Sequence, residues 1–330
     1  MTTMLRIPFD EMHRVLAEAL RRTGMASGDA GRCARLFAEA SRDGVASHGL
    51  NRFPRFMRMI ALGVVDVRAR LACVARSGAL ERWDGQSGPG NLNAQDAMAR
   101  AIVLGREHGI GCVALANTNH WMRGGSYGWQ AADAGVIGIC WTNTLANLPP
   151  WGATDPRVGN NPLVLAVPRR AGHVVLDMAM SQFSVGGLAA YAARGEDLPV
   201  AGGYDEAGAL SKDPAAITAS GRLLPAGFWK GSGLAIVLDL IAALVSGGLA
   251  THEIALEPEL ETRLSQIFIV IDPRGDRDAL ADRVIEHLHA GAGAIRYPGE
   301  RTLEARRRNL ADGVPADAAI WQQVQSLAAG

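Results

Sequence analysis

Between residues 71 and 271 short apolar runs alternate with amphipathic stretches, and this alternation constrains the fold more than any other feature of the chain. Strand-like runs fall at 71–74, 80–83, 110–116, 136–142, 163–167, 174–178 and 266–271. Between them, helical periodicity covers 93–108, 127–134 and 233–245. Mixed α and β units are therefore expected in the middle of the chain. The flanks read as helical: 9–22 and 29–41 at the start, with Ser27 placed to cap the second, and 277–289, 303–310 and 317–327 at the end. With 330 residues, 48% hydrophobic and 20% charged, the chain can bury one large core or two modest ones, which excludes a disordered or fibrous protein.

Charge narrows the partners. Lys+Arg and Asp+Glu both number 33, so no long-range field draws in nucleic acid or an anionic membrane, and a ligand must be held by local charges. Lys212 and Lys230 are the only lysines in this arginine-rich background, which singles them out for inspection. Cys33, Cys73, Cys112 and Cys140 form no CxxC pair and read as reduced thiols, as in a cytoplasmic protein. The N-terminus has no apolar h-region, and the longest apolar stretch, 234–245, contains Asp239, so neither a signal peptide nor a membrane span is expected. We read that stretch as a core helix in preference to an interface. The Gly- and Pro-rich segment 196–225 reads as a long ordered loop bordering a site.

The one G-x-G-x-x-[GA] match, Gly109 to Ala114, stands in the wrong context for a dinucleotide loop, because a helix precedes it and a strand follows. Gly109 reads instead as a helix stop. His13, His108, His252, His287 and His289 lie on helical or solvent-facing segments, where capping or surface roles suffice. His48 differs: it sits in a loop with Arg52 four residues on, so an imidazole and a guanidinium could converge on one small anion. The competing reading is a histidine that satisfies a turn. His120 follows Asn117, Thr118 and Asn119 at a strand end and precedes a Gly-Gly turn, where α/β proteins place ligands, although a purely structural Asn turn is the alternative. Asp177 puts an acid on an apolar strand and so reads as a salt-bridge anchor or a functional acid. Lys230 opens an apolar helix, where the dipole disfavours a cation unless an anion joins it.

The segments SRDGVASHGLNRFPRF, NTNHWMRGGSYGWQAA, GICWTNTLANLPPWGA, GNNPLVLAVP, VLDMAMS and LPAGFWKGSGLAIVLDLIAALVSGG together resemble the malate/L-lactate dehydrogenase superfamily, in consistent order from about residue 5 onward. Within it the resemblance is strongest to the branch of 2,3-diketo-L-gulonate reductases, on SHGLNRFPRF, NHWMRGGSYGWQAA, ICWTN, PPWGA, SQIFI and WKGSG. This implies a non-Rossmann NAD(P)-binding α/β fold, a mixed sheet with helical N- and C-terminal segments. A mainly helical substrate and dimer side at 1–70 plus 275–330 would flank a cofactor region at 71–274. The resemblance also implies a homodimer, an NAD cofactor with NADH favoured over NADPH, a small sugar-acid or 2-oxo-acid substrate, and no metal.

By the same resemblance His48 is the proton donor, and His120 matches the acid/base of ureidoglycolate-oxidising relatives; which of the two leads stays open. Arg52 matches a position that binds the substrate carboxylate. Cofactor contacts map to Thr144, to His173, Val174, Val175, Leu176, Asp177, Met178 and Ala179, to Trp229 and Lys230, and to Glu300, Arg301 and Thr302. The implied reaction reduces 2,3-diketo-L-gulonate to 3-keto-L-gulonate. Oxidation of malate, lactate or ureidoglycolate, or reduction of a cyclic imine acid, stands as the alternative. A binding protein without hydride transfer would have no reason to combine His48, Arg52, His120, Asp177 and Lys230. The chain departs from the diketogulonate enzymes around Glu300 to Thr302 and is shorter before it.

Overall fold

A strand from late in the chain occupies the middle of the main sheet, and the other layers are arranged around it. The computed structural model describes residues 3–275, 277–291 and 293–330. The chain opens with β1 (Met4–Ile7), α1 (Phe9–Arg22) and α2 (Ser27–Arg42), then makes two 3-10 turns, Ala46–His48 and Leu50–Arg52, before α3 (Phe53–Ala61). The middle runs through β2 (Ala72–Ser77), β3 (Leu80–Asp84), α4 (Gly90–His108), β4 (Ile110–Thr118), α5 (Gly125–Asp133), β5 (Ile137–Thr142), β6 (Leu163–Val167) and β7 (Val174–Met178). It continues with α6 (Val185–Arg194), β8 (Gly203–Tyr204), β9 (Leu210–Ser211), α7 (Pro214–Ser220), α8 (Trp229–Ser246) and β10 (Leu264–Ile271). The end of the chain holds α9 (Asp278–His289), α10 (Glu300–Asp312), β11 (Val314–Asp317) and α11 (Ala318–Ala329).

The seven-stranded sheet has the order β2-β3-β4-β10-β5-β6-β7. Only β3 and β4 pair in parallel, joined by the α4 crossover; the other neighbours are antiparallel, so the sheet is mixed. Alternation along β10 sends Phe268 to one face and Ile267 to the other. Phe268 packs with Met98 and Leu104 of α4 and with Trp121 and Tyr127, while Ile267 packs with Ala235, Leu238 and Ala242 of α8. Gly109 caps α4 in the left-handed region, at φ +87°, as a helix stop requires, and its amide donates to Gly105 O.

A second core binds the helical flanks. Met12, Leu16 and Leu20 of α1, Phe37 of α2, Phe53 and Phe56 of α3, and Trp321 and Val324 of α11 are all buried together. The Phe37 ring meets those of Phe53 and Phe56 at 5.2 and 5.3 Å. Burying each such side chain stabilises the fold by ~1.5–3 kcal/mol. The β1–β11 ribbon, with Ile7 opposite Val314, fastens the two chain ends to one another.

Three expectations need correction, and two elements had not been expected. Ser27 is the first residue of α2 and not its cap; Ala26 holds the cap position without a side-chain bond. Segment 196–225 is not a plain loop, because Leu198, Ile217, Leu223 and Leu224 are buried there and pull it into the β8–β9 ribbon and α7. The β1–β11 pair and α6 carry no strong local signal: the first depends on residues from opposite ends of the chain, and the second begins Val-Gly-Gly, with low helix propensity. Finally, α8 is only partly a core helix. Its inner side is held by bonds from Trp141 Nε1 to Leu238 O and from Asn161 Nδ2 to Ala235 O, but Val237, Leu240 and Leu244 are exposed, Leu244 at 80%. Among the described residues α8 is the one helix long and apolar enough to cross a bilayer, and a third of it is buried.

Candidate active site

The loop after α2 is folded back on that helix: Leu50 N donates to Ser41 Oγ at 2.7 Å, and Gly49 passes so close to Ser41 that a Cβ would collide with its hydroxyl. Glycine is required there. The turn presents His48, half-buried, with Nδ1 in a 3.1 Å bond to Ser47 Oγ. On the facing loop, β4 ends and buried Asn119 donates to Ser87 O and Gly88 O at 2.7 and 2.9 Å, which fixes the start of the turn. His120 Nδ1 accepts the Met122 amide at 3.0 Å, so in the neutral ring the proton resides on Nε2. The two imidazoles stack, with centroids 5.9 Å apart and planes 19° from parallel.

Arg52 lies beside them, as expected, and the structure adds two residues that the sequence reading missed. Arg55 follows on α3, and buried Glu261 reaches in from the loop before β10. Glu261 Oε1 accepts the Leu145 amide at 3.2 Å; Oε2 lies 3.9 Å from Arg52 Nη2 and 4.0 Å from Arg55 Nη2. Those separations exceed hydrogen-bond length. Arg55 Nε and Nη2 are buried without a hydrogen-bond partner in the protein, so both are donors that a ligand's acceptor could engage. The RFPRF spacing placed Arg55 on the helical face next to Arg52, a signal that was available; Glu261 had none, being brought in by tertiary structure alone.

Electrostatics follow from this geometry. Burial, then the charges of Arg52 and Arg123, push the His48 pKa down to about 4. Burial, Arg52, His48 and Arg55 push His120 well below the ordinary histidine range. Burial and the neighbouring Arg55 bring Arg52 down to about 10, against the pull of Glu261, and burial raises Glu261 above the usual carboxylate range. The cleft is thus a cationic site in which burial and the guanidinium groups keep both imidazoles neutral and an incoming anion would be favoured.

The residues assigned to the cofactor gather along the edge strand β7. At one end Val175 N donates to Pro298 O at 2.9 Å, which docks the first turn of α10, with Glu300, Arg301 and Thr302, against His173 and Val174. At the other end Ala226 N donates to Met180 O at 2.8 Å and brings Trp229 and Lys230, the first residues of α8, beside Met178 and Ala179. Thr144 is buried, and its hydroxyl lies 3.2 Å from Asn160 Oδ1, while Asn160 O accepts the Met180 amide.

Side chains differ in what they can offer. Val175 is buried and presents only backbone, whereas Leu176 and Val174 are half-buried. His173 has both ring nitrogens engaged, Nδ1 by the Arg169 amide and Nε2 by Asp133, each at 3.0 Å. Asp177 is exposed, against the expectation of a buried acid, and forms no ion pair among the described residues; its Oδ2 accepts the Gly125 amide at 2.7 Å, and the packing around the carboxyl raises its pKa against the pull of Arg123. Lys230 is exposed and makes no ion pair among the described residues. Glu300 Oε2 is buried with no hydrogen-bond partner. An orphan acceptor at one end of an edge strand and a lone cation at a helix N-terminus at the other suit a long, partly anionic ligand.

The chain is 43% identical to the 2,3-diketo-L-gulonate reductase of Citrobacter koseri over 333 residues, covering 98% of this chain and all (100%) of that one. It is 44% identical to the enzyme of the same name from Salmonella newport, with the same coverage of both. Among solved structures it superposes on the δ1-piperideine-2-carboxylate reductase of Pseudomonas syringae with a TM-score of 0.89 at 28% identity, covering 98% of this chain and 99% of the other. The sulfolactate dehydrogenase of Methanocaldococcus jannaschii gives 0.90 at 26% identity, over 98% and 96%. Residues 7–325 match the family model described as malate/L-lactate dehydrogenase, and with the full-length likeness to the reductases this places the chain in the malate/L-lactate dehydrogenase family as an oxidoreductase.

Proposed function

We propose that the chain reduces 2,3-diketo-L-gulonate to 3-keto-L-gulonate, with His48 as proton donor. The observation that carries this reading is the stacked His48–His120 pair beside the Arg52–Arg55 cluster, in a chain alike over its full length to enzymes of that name. Membership of the family implies a nicotinamide cofactor, which when bound supplies the hydride. The remaining work falls to this chain's side chains. Arg52 grips the substrate carboxylate, and Arg55, with donors unused, adds a second guanidinium to the same anion. His48 delivers its proton to the oxygen of the carbonyl as that oxygen gains charge, and His120, with Nε2–H fixed by the Met122 amide, donates a hydrogen bond to the same oxygen. The anionic substrate also offsets the charge of Arg52, raising the His48 pKa toward the working range just when a proton is needed.

Thr144, His173 to Ala179, Trp229, Lys230 and Glu300 to Thr302 would hold the cofactor along β7. We favour NADH over NADPH: Glu300, with its orphan oxygen, borders a cavity of about 310 Å³ in which three carboxylates, Glu286, Glu300 and Glu304, outnumber two arginines, Arg169 and Arg307. A carboxylate there accepts a ribose hydroxyl and repels a 2′-phosphate. No metal enters this mechanism. The exposed apolar face of α8, Val237, Leu240 and Leu244, is assigned to the homodimer contact. We also assign the helical part, 1–70 plus 275–330, to the substrate and dimer side and 71–274 to the cofactor. The four free cysteines suit the cytoplasm.

The test is NADH oxidation with 2,3-diketo-L-gulonate alongside pyruvate, oxaloacetate and a cyclic imine acid, repeated with NADPH. Preference for the diketogulonate supports the proposal; turnover confined to another acid moves the chain to a sister activity. His48→Gln should lower turnover by about 100- to 10,000-fold in a folded protein, and unchanged turnover would remove His48 from its role.

A further inference from the structure

Between the segments that carry the two histidines lies a buried carboxylate with three arginines that the proposed mechanism does not use. Asp43 stands just past the end of α2, one turn ahead of His48, and is buried. Its Oδ2 accepts from Arg123 Nη1 at 2.6 Å and Arg306 Nη2 at 2.7 Å; its Oδ1 accepts from Arg42 Nε at 2.8 Å and Arg306 Nε at 2.9 Å. Arg123 is only 6% exposed and belongs to the other histidine loop, shortly after His120. One ion pair therefore joins the two segments that carry the imidazoles.

The backbone between His120 and Arg123 shows what that pair must do. Met122 has φ +64°, in the left-handed region that non-glycine residues rarely adopt, and it is this turn that brings the Met122 amide onto His120 Nδ1 at 3.0 Å. Such a conformation persists only where the surroundings over-determine it. Arg123, anchored on Asp43, is the adjacent fixed point. Its guanidinium also borders β7: a Cβ on Gly125 would lie 2.8 Å from Asp177 Oδ2 and 3.4 Å from Arg123 Nε. From the same hub Arg306 stacks on Trp129 at 4.5 Å, and the Trp129 ring lies 5.7 Å from His173.

We propose that Arg123 is a positioning residue for catalysis: pinned by Asp43, it closes the Met122 turn that orients His120 and locks the His48 loop in register with His120. The inference rests on the reading of His48 and His120 as the acid–base pair. It adds a residue that acts through both histidines. The groups facing His48 are Ser47, His120, Arg52 and Arg123, so Arg123 also acts on the charge state of that imidazole.

The experiment uses the purified full chain with Arg123→Lys, Arg123→Met and Asp43→Asn. Lysine keeps the charge but loses the planar fork. All three are expected to lower kcat about 10- to 100-fold, as small misplacements of catalytic groups do. NADH affinity, read from quenching of tryptophan fluorescence, should stay within about twofold, because the lost interaction is not a cofactor contact. In Arg123→Met alone, the pH above which kcat/KM for reduction declines should move up toward the ordinary histidine value of about 6.5. If kcat and that pH stay at the wild-type values while only the melting temperature drops, the positioning role is overturned and the cluster is structural. Should Arg123→Met fail to fold, Arg123→Lys and Asp43→Asn still decide the question through kcat against NADH affinity. His48→Gln, run in parallel, separates the two ideas, since unchanged turnover there would remove the acid–base reading itself.

Discussion

Two buried carboxylates sit near the same pair of histidines, each facing guanidinium groups, and they are treated in opposite ways. Asp43 is saturated: three arginines give it four hydrogen bonds between 2.6 and 2.9 Å. Burial opposes its ionisation, but bonding to Arg306 and Arg42 and the charge of Arg123 hold its carboxyl well below the usual range. Glu261 faces two arginines at 3.9 and 4.0 Å, leaves Arg55 donors unmatched, and has a pKa raised by burial. The same residue types make a frame in one place and a receptive site in the other. Local satisfaction marks the frame, and local dissatisfaction marks where a ligand's charge is expected.

The contrast is broken most forcefully at Asp43. Asp43→Ala leaves three guanidinium groups around an empty position, and removing one partner of a buried ion cluster costs about 3–5 kcal/mol. Chemical denaturation should therefore show a large loss of stability or no folded protein. Glu261→Ala, the matched truncation, should cost less than Asp43→Ala, because its arginine contacts at 3.9 and 4.0 Å exceed hydrogen-bond length and it accepts one backbone amide where Asp43 accepts four guanidinium bonds. Equal losses in the two variants would erase the distinction between frame and receptive site.

At the next level, Arg55→Gln removes the guanidinium whose donors are unmatched. With substrate charge as its intended partner, KM for the sugar acid should rise about tenfold, the scale of one charge-assisted hydrogen bond, while kcat and melting temperature change little. A lowered melting temperature with unchanged KM would instead assign Arg55 to the frame.

Much of this was legible in the residues, and the reason is locality. The bounds of α1, β6 and β7 match the apolar periodicity, and Gly109 ends α4 as its context required. His48, Arg52 and His120 stood out because polar side chains on loops beside glycine carry little structural purpose. Asp43, Arg306 and Glu261 were silent, since a charged residue at a helix end or in a polar loop looks solvated until distant segments bury it. Likewise, the central placement of β10 and the β1–β11 ribbon depend on pairings across most of the chain, for which no local period exists. The exposed face of α8 misled for a related reason: an all-round apolar helix reads as core, and only the structure shows that one side has no cover within the chain.

The smallest expected effect tests the comparison by pH alone. His48 has a folded-state pKa near 4, below its unfolded value of about 6.5, so on acidification the unfolded chain takes up a proton that the folded chain refuses. Stability should therefore fall as pH drops from about 6.5 toward 4, with His120 contributing in the same direction. Asp43 behaves otherwise: with a depressed folded pKa, its contribution is complete above an unfolded value of about 3.9 and is lost only below it. Thermal melts at pH 7 and pH 5 thus probe the histidine site and leave the Asp43 frame untouched. Glu261 and Asp177, whose folded pKa values are raised, act with the opposite sign, so the test is a difference: from pH 7 to pH 5 wild type should lose more melting temperature than His48→Gln, and that excess should shrink on adding an anionic 2-oxo acid, whose charge offsets the arginines. A decrease of the same size in wild type and His48→Gln would place the acid sensitivity outside the cleft and remove the electrostatic part of the contrast.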